Sequence, residues 1–224
     1  MLARCWHVDP HTDGQVSIEL HWDLESPRFS FGLAELLRAD TPDSLVVAGV
    51  PIRSPSAPLL LLLLCEHGTK HAWDRLGWVA DVAELLAQRG SAIWSTTWNL
   101  ARRAHLTRAL LVGIGLAESL LQAPLPHDAS SRLSRDRVAQ RLARVAAAHV
   151  FNPLPSPLNA VFWHAFFAAC LDRPADSLTH LDNVLFASTP REWQRVDLPP
   201  SLAFLYRALR PLSLAERLAG FRHR

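Results

Sequence analysis

With 224 residues, 49% of them hydrophobic and 20% charged, the chain is globular and long enough to bury a core, as one large domain or two small ones. A net charge of +2 gives no broad electrostatic case for a nucleic-acid or membrane-surface partner. Lys70 is the only lysine; apart from histidine, every other basic residue is arginine.

The opening Met1-Leu2-Ala3-Arg4-Cys5-Trp6-His7 lacks the apolar core of a signal peptide. Cys5, Cys65 and Cys170 are far apart and odd in number, so neither a disulfide framework nor zinc-knuckle spacing is visible, and a reducing cytoplasmic setting is expected. A strand is predicted over Val16 to Leu24. It carries Val16, Ile18, Leu20 and Trp22 on one face and Ser17, Glu19, His21 and Asp23 on the other. A carboxylate in mid-strand between large apolar residues is costly to bury unless something pairs with it. Ser30 to Arg38 reads as a short helix, Thr41-Pro42-Asp43 as a turn, and Leu45 to Ile52 as a second strand.

Pro58 then suits a first helical turn, and helix dominates the remainder. Helices are predicted at 58–71, 73–89, 92–105, 107–122, 131–149, 157–171, 175–187 and 201–219, the last broken at Pro211. Pro124 to Asp128 and Asn152 to Pro157 read as connectors. The leucine run from Leu59 to Leu64 stops at Cys65-Glu66-His67, far short of a membrane span, and reads as a buried helix. The arginines between Arg132 and Arg144 fit a solvated helix face better than a nucleic-acid patch, because no aromatic residues interleave them. Trp73, Trp78, Trp94 and Trp98 fall at helical spacings and read as core.

The expected fold class is therefore α+β, predominantly α. A small sheet remnant over residues 1–55 should pack on a helical domain over 56–224. Two strands do not make an independently stable sheet, so the amino-terminal part reads as the end of a larger α/β unit whose exposed edge invites a protein partner.

The chemistry concentrates in two places. His67, Lys70 and His71 share a helix face at i, i+3 and i+4, opposite an acidic strand bearing Glu19 and His21. An acid facing a basic patch suggests a metal-bound phosphate, with Lys70 as a point charge. Two other readings stay open: hydrogen bonds between helix and sheet, and a zinc site of His67 and His71 with Cys65 or Asp81. The zinc reading lacks a clear third ligand and the His-Glu-x-x-His order. Asp81 is placed to orient a histidine or to bridge to Arg75. Glu19 and His21 are expected on one side of the sheet, with Glu19 within about 12 Å of one of His67, Lys70 and His71.

Three stretches carry a resemblance: Ile18-Glu19-Leu20-His21-Trp22, Val47-Ala48-Gly49-Val50-Pro51-Ile52, and the run from Leu63 to Leu86 that contains His67-Gly68-Thr69-Lys70-His71-Ala72-Trp73. Together they resemble the uncharacterised nucleotidyltransferase family of bacteria, a branch of the polymerase-beta-like superfamily. Asp197-Leu198-Pro199-Pro200 and Leu205 to Pro211 resemble its closing segment, so the likeness runs from about residue 16 to the carboxyl terminus. It implies nucleotide transfer from a nucleoside triphosphate by a two-magnesium mechanism, built on a Gly-Ser turn, an acid-x-acid strand and a third acid. Glu19 matches the third acid, and so becomes the catalytic and metal-binding candidate. His21, His67, Lys70, His71 and Asp81 become the substrate-binding ones. The acceptor is not identified by any residue.

The chain departs from that pattern. Before Glu19 there is neither a Gly-Ser turn nor an acid-x-acid pair. The Gly90-Ser91 pair is expected to open a helix, and Asp23-Leu24-Glu25 comes after Glu19. The chain thus reads as amino-terminally truncated, through a shortened gene, a misassigned start or a half that docks with a separately encoded piece. Two functional expectations follow: a nucleotidyltransferase-like protein inactive on its own, or a non-catalytic helical module that binds a nucleotide or a protein.

Overall fold

The computed structural model describes residues 7–8, 20–21, 33–155, 158–188 and 190–221. It begins with β1 (His7–Val8), β2 (Leu20–His21), α1 (Leu33–Ala39), β3 (Asp43–Val47) and β4 (Val50–Ser54). Helices follow: α2 (Ala57–Lys70), α3 (Leu76–Ala104), α4 (Thr107–Leu121), α5 (His127–Arg135), α6 (Arg137–Phe151), α7 (Leu158–Cys170), α8 (Pro174–Phe186) and α9 (Pro190–Arg195). A 3-10 helix, Pro200–Leu205, leads into α10 (Tyr206–Phe221). The fold is α+β and predominantly α.

The strands form two separate antiparallel pairs, β1 with β2 and β3 with β4. The segment read as one strand over 45–52 is a hairpin instead. It reverses at Ala48 and Gly49, with φ of 49° and 81°. Two successive positive φ values mark the turn whose twist matches flanking strands. The usual polar turn residue is absent, so apolar side chains run straight into the bend and hide it. Register pairs Leu45 with Ile52 and Val47 with Val50, which puts these four on one face. All four are exposed. The expected burial of the sheet against the bundle is therefore not what this face of the hairpin shows. Its base is fastened all the same. The Asp40 carboxylate accepts from the Ser56 N–H at 2.8 Å and from the Ser56 hydroxyl, and Ser56 Oγ accepts from Leu59 N–H to cap α2.

The core centres on α4, which is buried without interruption from Ala109 to Ala117 and packs against α2, α3, α5, α6 and α7. The leucine run behaves as its sequence suggests, with Leu59, Leu61 and Leu62 fully buried. No helix among the described residues is long and apolar enough to cross a membrane. Leu106 precedes α4 with no side-chain cap of its own, and Asp172 supplies one from the α7–α8 connection. Its carboxylate accepts from Thr107 N–H at 2.8 Å, Thr107 hydroxyl at 2.8 Å and Arg108 N–H at 2.9 Å.

Several boundaries correct the sequence reading. The helices expected at 73–89 and 92–105 are one, because the buried stripe Val79, Val82, Leu86, Ile93, Trp94, Thr97 and Ala101 continues across Gly90-Ser91. A single mid-helix glycine costs only about 1 kcal/mol against such packing. Gly90-Ser91 thus lies inside a helix and opens none. The helix expected at 131–149 is two, divided where Asp136 turns from helical geometry to cap α6 through Ala139 N–H. The connector expected through Asp128 already begins α5 at His127, and α9 was not anticipated. Helix α10 also continues through Pro211, where a break was expected. The proline forgoes one backbone hydrogen bond. Contacts of α10 with α8 and α9, and a Tyr206 hydroxyl that donates to Val196 O and accepts from Leu198 N–H, hold the helix in place.

Candidate functional site

The site is built on the turn between α2 and α3. At the end of α2, His71 N–H donates to His67 O, Ala72 N–H to Thr69 O and Trp73 N–H to Gly68 O at 2.7 Å. Ala72 and Trp73 adopt left-handed φ values of 49° and 56°, a strain of about 1–2 kcal/mol for each residue. Burial of Trp73 offsets it. The ring is wholly buried, and a Cβ added to Gly68 would lie 2.6–2.7 Å from it. One added to Gly113 of α4 would meet Cys65 Sγ at 2.5 Å and the Trp73 ring at 3.0 Å. Within His-Gly-x-Lys-His-x-Trp, the glycine and the tryptophan are therefore a packing pair that fixes the turn.

The two histidines lie beyond that core. His67 and His71 are half-buried, with ring centroids 4.8 Å apart. Trp78 on α3 stands 5.1 Å from His67 and 5.0 Å from His71, and Trp163 on α7 lies 5.9 Å from His71. The Arg75 guanidinium sits over the Trp78 ring at 5.6 Å. Asp74, between the turn and α3, has its carboxyl raised by burial, an effect countered by the charges of Arg75, His149 and His67. Imidazoles, a guanidinium and an aromatic face together form a surface suited to an anion carried on a planar group.

The uncharacterised nucleotidyltransferase family matches residues 4–122, which is 119 of the 224 residues. The chain belongs to this family. No curated protein and no solved structure matches it. The nucleotidyltransferase match takes in α1 to α4 and the His67–Trp78 cluster. It ends before α5, so the resemblance noted at Asp197–Pro200 and Leu205–Pro211 lies outside it.

The other sequence candidates fall in different places. The charge of Lys70 acts on His180 of α8, whose imidazole is pushed down to about 4 by burial first and then by His164 and Lys70. His164 and His180 lie 5.3 Å apart. Asp81 is exposed on α3 and lines a shallow groove of about 290 Å³ with Leu60, Leu64, Glu84, Leu85 and Gln88. The carboxylate whose charge couples to Arg75 and His67 is Asp74. Glu19 lies outside the described residues, and His21 is described only as a backbone partner of His7. The expected side of the sheet and the expected span from Glu19 to the helix therefore both lie outside them.

No three His, Cys, Asp or Glu side chains among the described residues are grouped so as to hold a metal. Cys65 is buried in the core with its Sγ against Gly113 of α4, and among the described residues it is not grouped with His67 and His71 so as to hold a metal. Of the tryptophans, Trp73 and Trp94 are core, whereas Trp78 and Trp98 are half-buried at its edge. Trp94 donates to Asp128 at 2.8 Å, and Trp98 carries the Arg132 guanidinium at 4.3 Å. Sequence reasoning missed Asp74, His149 and Trp163. Asp74 directly follows the motif and was legible in principle; the other two come from distant helices and carried no local signal.

Proposed function

We propose that this chain is a nucleotidyltransferase-type protein that binds a nucleoside triphosphate and, as a 224-residue chain, holds it without transferring it. The observation that carries this reading is the cluster of His67, His71, Arg75 and Trp78 at the α2–α3 turn, within the segment that matches the family. Protonated imidazoles and a guanidinium make charge-assisted hydrogen bonds to phosphate oxygens, and the half-buried Trp78 offers a stacking edge. Lys70, in the same last turn of α2 as His67, would add positive charge at the flank. Glu19 would bind magnesium and serve as the one matched catalytic acid.

The absence of transfer follows from the chemistry. Two closely spaced cations facing a polyphosphate need several carboxylates, and Glu19 alone is too few. Gly90-Ser91 cannot act as a phosphate-cradling turn in the middle of α3. The exposed β3–β4 hairpin is a surface on which a protein partner would add to the sheet. The free, buried Cys65 and Cys170 fit a reducing cytoplasmic setting.

A second reading, a non-catalytic helical module, is favoured by one observation: Gly68 and Trp73 of the motif are spent on packing. Calorimetry of the chain with ATP, with and without magnesium, separates the two. We expect weak binding that His67→Ala combined with His71→Ala abolishes; heats unchanged by the double substitution would favour the module.

A further inference from the structure

The groove between α2 and α3 has a chemical counterpart on α6. Half-buried Leu60, Leu64 and Leu85 give the groove its apolar lining, and exposed Asp81, Glu84 and Gln88 border it. Gln88 Nε2 donates to Glu84 Oε1 at 2.6 Å, which fixes one of the two acids in place. Helix α6 shows the opposite character. At 3.6 residues per turn, Arg137, Val138, Arg141, Arg144, Val145 and Ala148 fall within an arc of about 120°. All six are exposed, and α6 contains no acidic residue. Its other side, through Ala139, Ala143 and Ala146, is buried, and the helix packs against α4. Among the described residues, no ion pair takes up Asp81, Glu84, Arg137, Arg141 or Arg144.

The two surfaces also agree in spacing. Asp81 and Glu84 are separated by the same interval along α3 as Arg141 and Arg144 along α6, a rise of about 4.5 Å. Asp81 to Gln88 spans about 10.5 Å of helix, and so does Val138 to Val145. We propose that α6 of one copy of this chain seats in the α2–α3 groove of a second copy. Val138 and Val145 then meet Leu60, Leu64 and Leu85, while Arg141 and Arg144 face Asp81 and Glu84. An amphipathic helix laid in a groove between two others is a recurrent mode of recognition, and here the charges fix its register. Two different surfaces meet, so the contact is heterologous and builds rings or open chains instead of a two-fold dimer. A net charge of only +2 opposes such assembly little. The groove is shallow, at about 290 Å³, which places the association in the weak, transient class, with a Kd of about 100 μM.

Sedimentation velocity of the full chain between about 10 μM and about 1 mM tests the contact. The wild-type chain should associate across this range, and raising salt from about 0.05 M to about 0.5 M should weaken association at least threefold. Arg141→Glu with Arg144→Glu should leave the chain monomeric, as should Asp81→Arg with Glu84→Arg in a separate variant, because like charges then face each other. All four positions are exposed, so both variants should keep the helical circular dichroism of the wild type. Mixing the two variants should restore association, since each reversed surface again meets its opposite, and a chain carrying all four substitutions should associate as well. A wild-type chain that stays monomeric to about 1 mM, or whose association ignores salt, would overturn the proposal. So would a mixture of the two variants that stays monomeric. Association that survives both charge reversals would also overturn it, and would move the contact to another surface such as the β3–β4 hairpin.

Discussion

The α2–α4 core and the β3–β4 hairpin are both written in Leu, Val and Ile, yet they end in opposite environments. Leu59, Leu61 and Leu62 of α2 are fully buried, whereas Leu45, Val47, Val50 and Ile52 of the hairpin are 46–58% exposed. The difference is one of self-sufficiency. A helix closes its own backbone hydrogen bonds and needs only a neighbouring face, which α3 and α4 supply. A two-stranded hairpin leaves both edges and both faces open, and gains stability only when further strands or a covering layer arrive. Apolar composition therefore marks a core in one region and an exposed surface in the other.

The sharpest way to test that contrast is at Trp73. Trp73→Ala should destabilise the fold by about 3–5 kcal/mol, since it empties a site closed by Gly68, Gly113 and Cys65. Urea unfolding measures it, and a loss below about 1 kcal/mol would mean that the strained turn was being relieved as fast as the core was lost.

Next in size is a pH effect on the carboxyl-terminal helices. His180 has its usual value of 6.5 lowered to about 4 in the fold. The unfolded chain then binds a proton that the folded chain refuses, so stability falls as pH drops from 6.5 towards 4 and is constant below. Between pH 7 and pH 4 the loss should be about 3 kcal/mol. His149 and His164 shift in the same direction, and Asp74, raised by burial, acts oppositely. The His180→Gln chain should show a shallower pH dependence, and curves of equal slope would refute the assignment.

Asp172→Ala, which strips the borrowed cap from α4, should cost about 1–2 kcal/mol in the same unfolding experiment. At the small end, Val46→Thr on the hairpin should change stability by no more than about 0.5 kcal/mol, because Val46 is 72% exposed. A loss above 1 kcal/mol would show that the hairpin is covered in solution, and the contrast with the core would dissolve.

The helical half was readable because the Val79–Ala101 stripe repeats at helical period, and because Leu59–Leu64 is a short apolar run behind a proline suited to a first helical turn. The Gly90-Ser91 pair misled because a local breaker signal lost to packing along the whole of α3. Ala48-Gly49 misled in the other direction, since a hairpin bend without a polar residue looks like strand. His67 and His71 were visible as a pair at i, i+4, but Trp163, which reaches His71, is brought in by α7, and no spacing within α2 announces it. Asp172 as the cap of α4 is the same case: a long-range contact between two loops leaves no mark on either one.

The most direct test is a magnesium-dependent transfer assay on the purified 224-residue chain, using radiolabelled nucleoside triphosphates and a panel of hydroxyl and amino acceptors, run beside calorimetric binding of the same nucleotides. We expect measurable binding, weakened by Lys70→Ala and lost with the paired substitution of His67 and His71, and no nucleotide transferred. Transfer that requires magnesium and disappears in Glu19→Ala would contradict this reading and make the chain an enzyme in its own right.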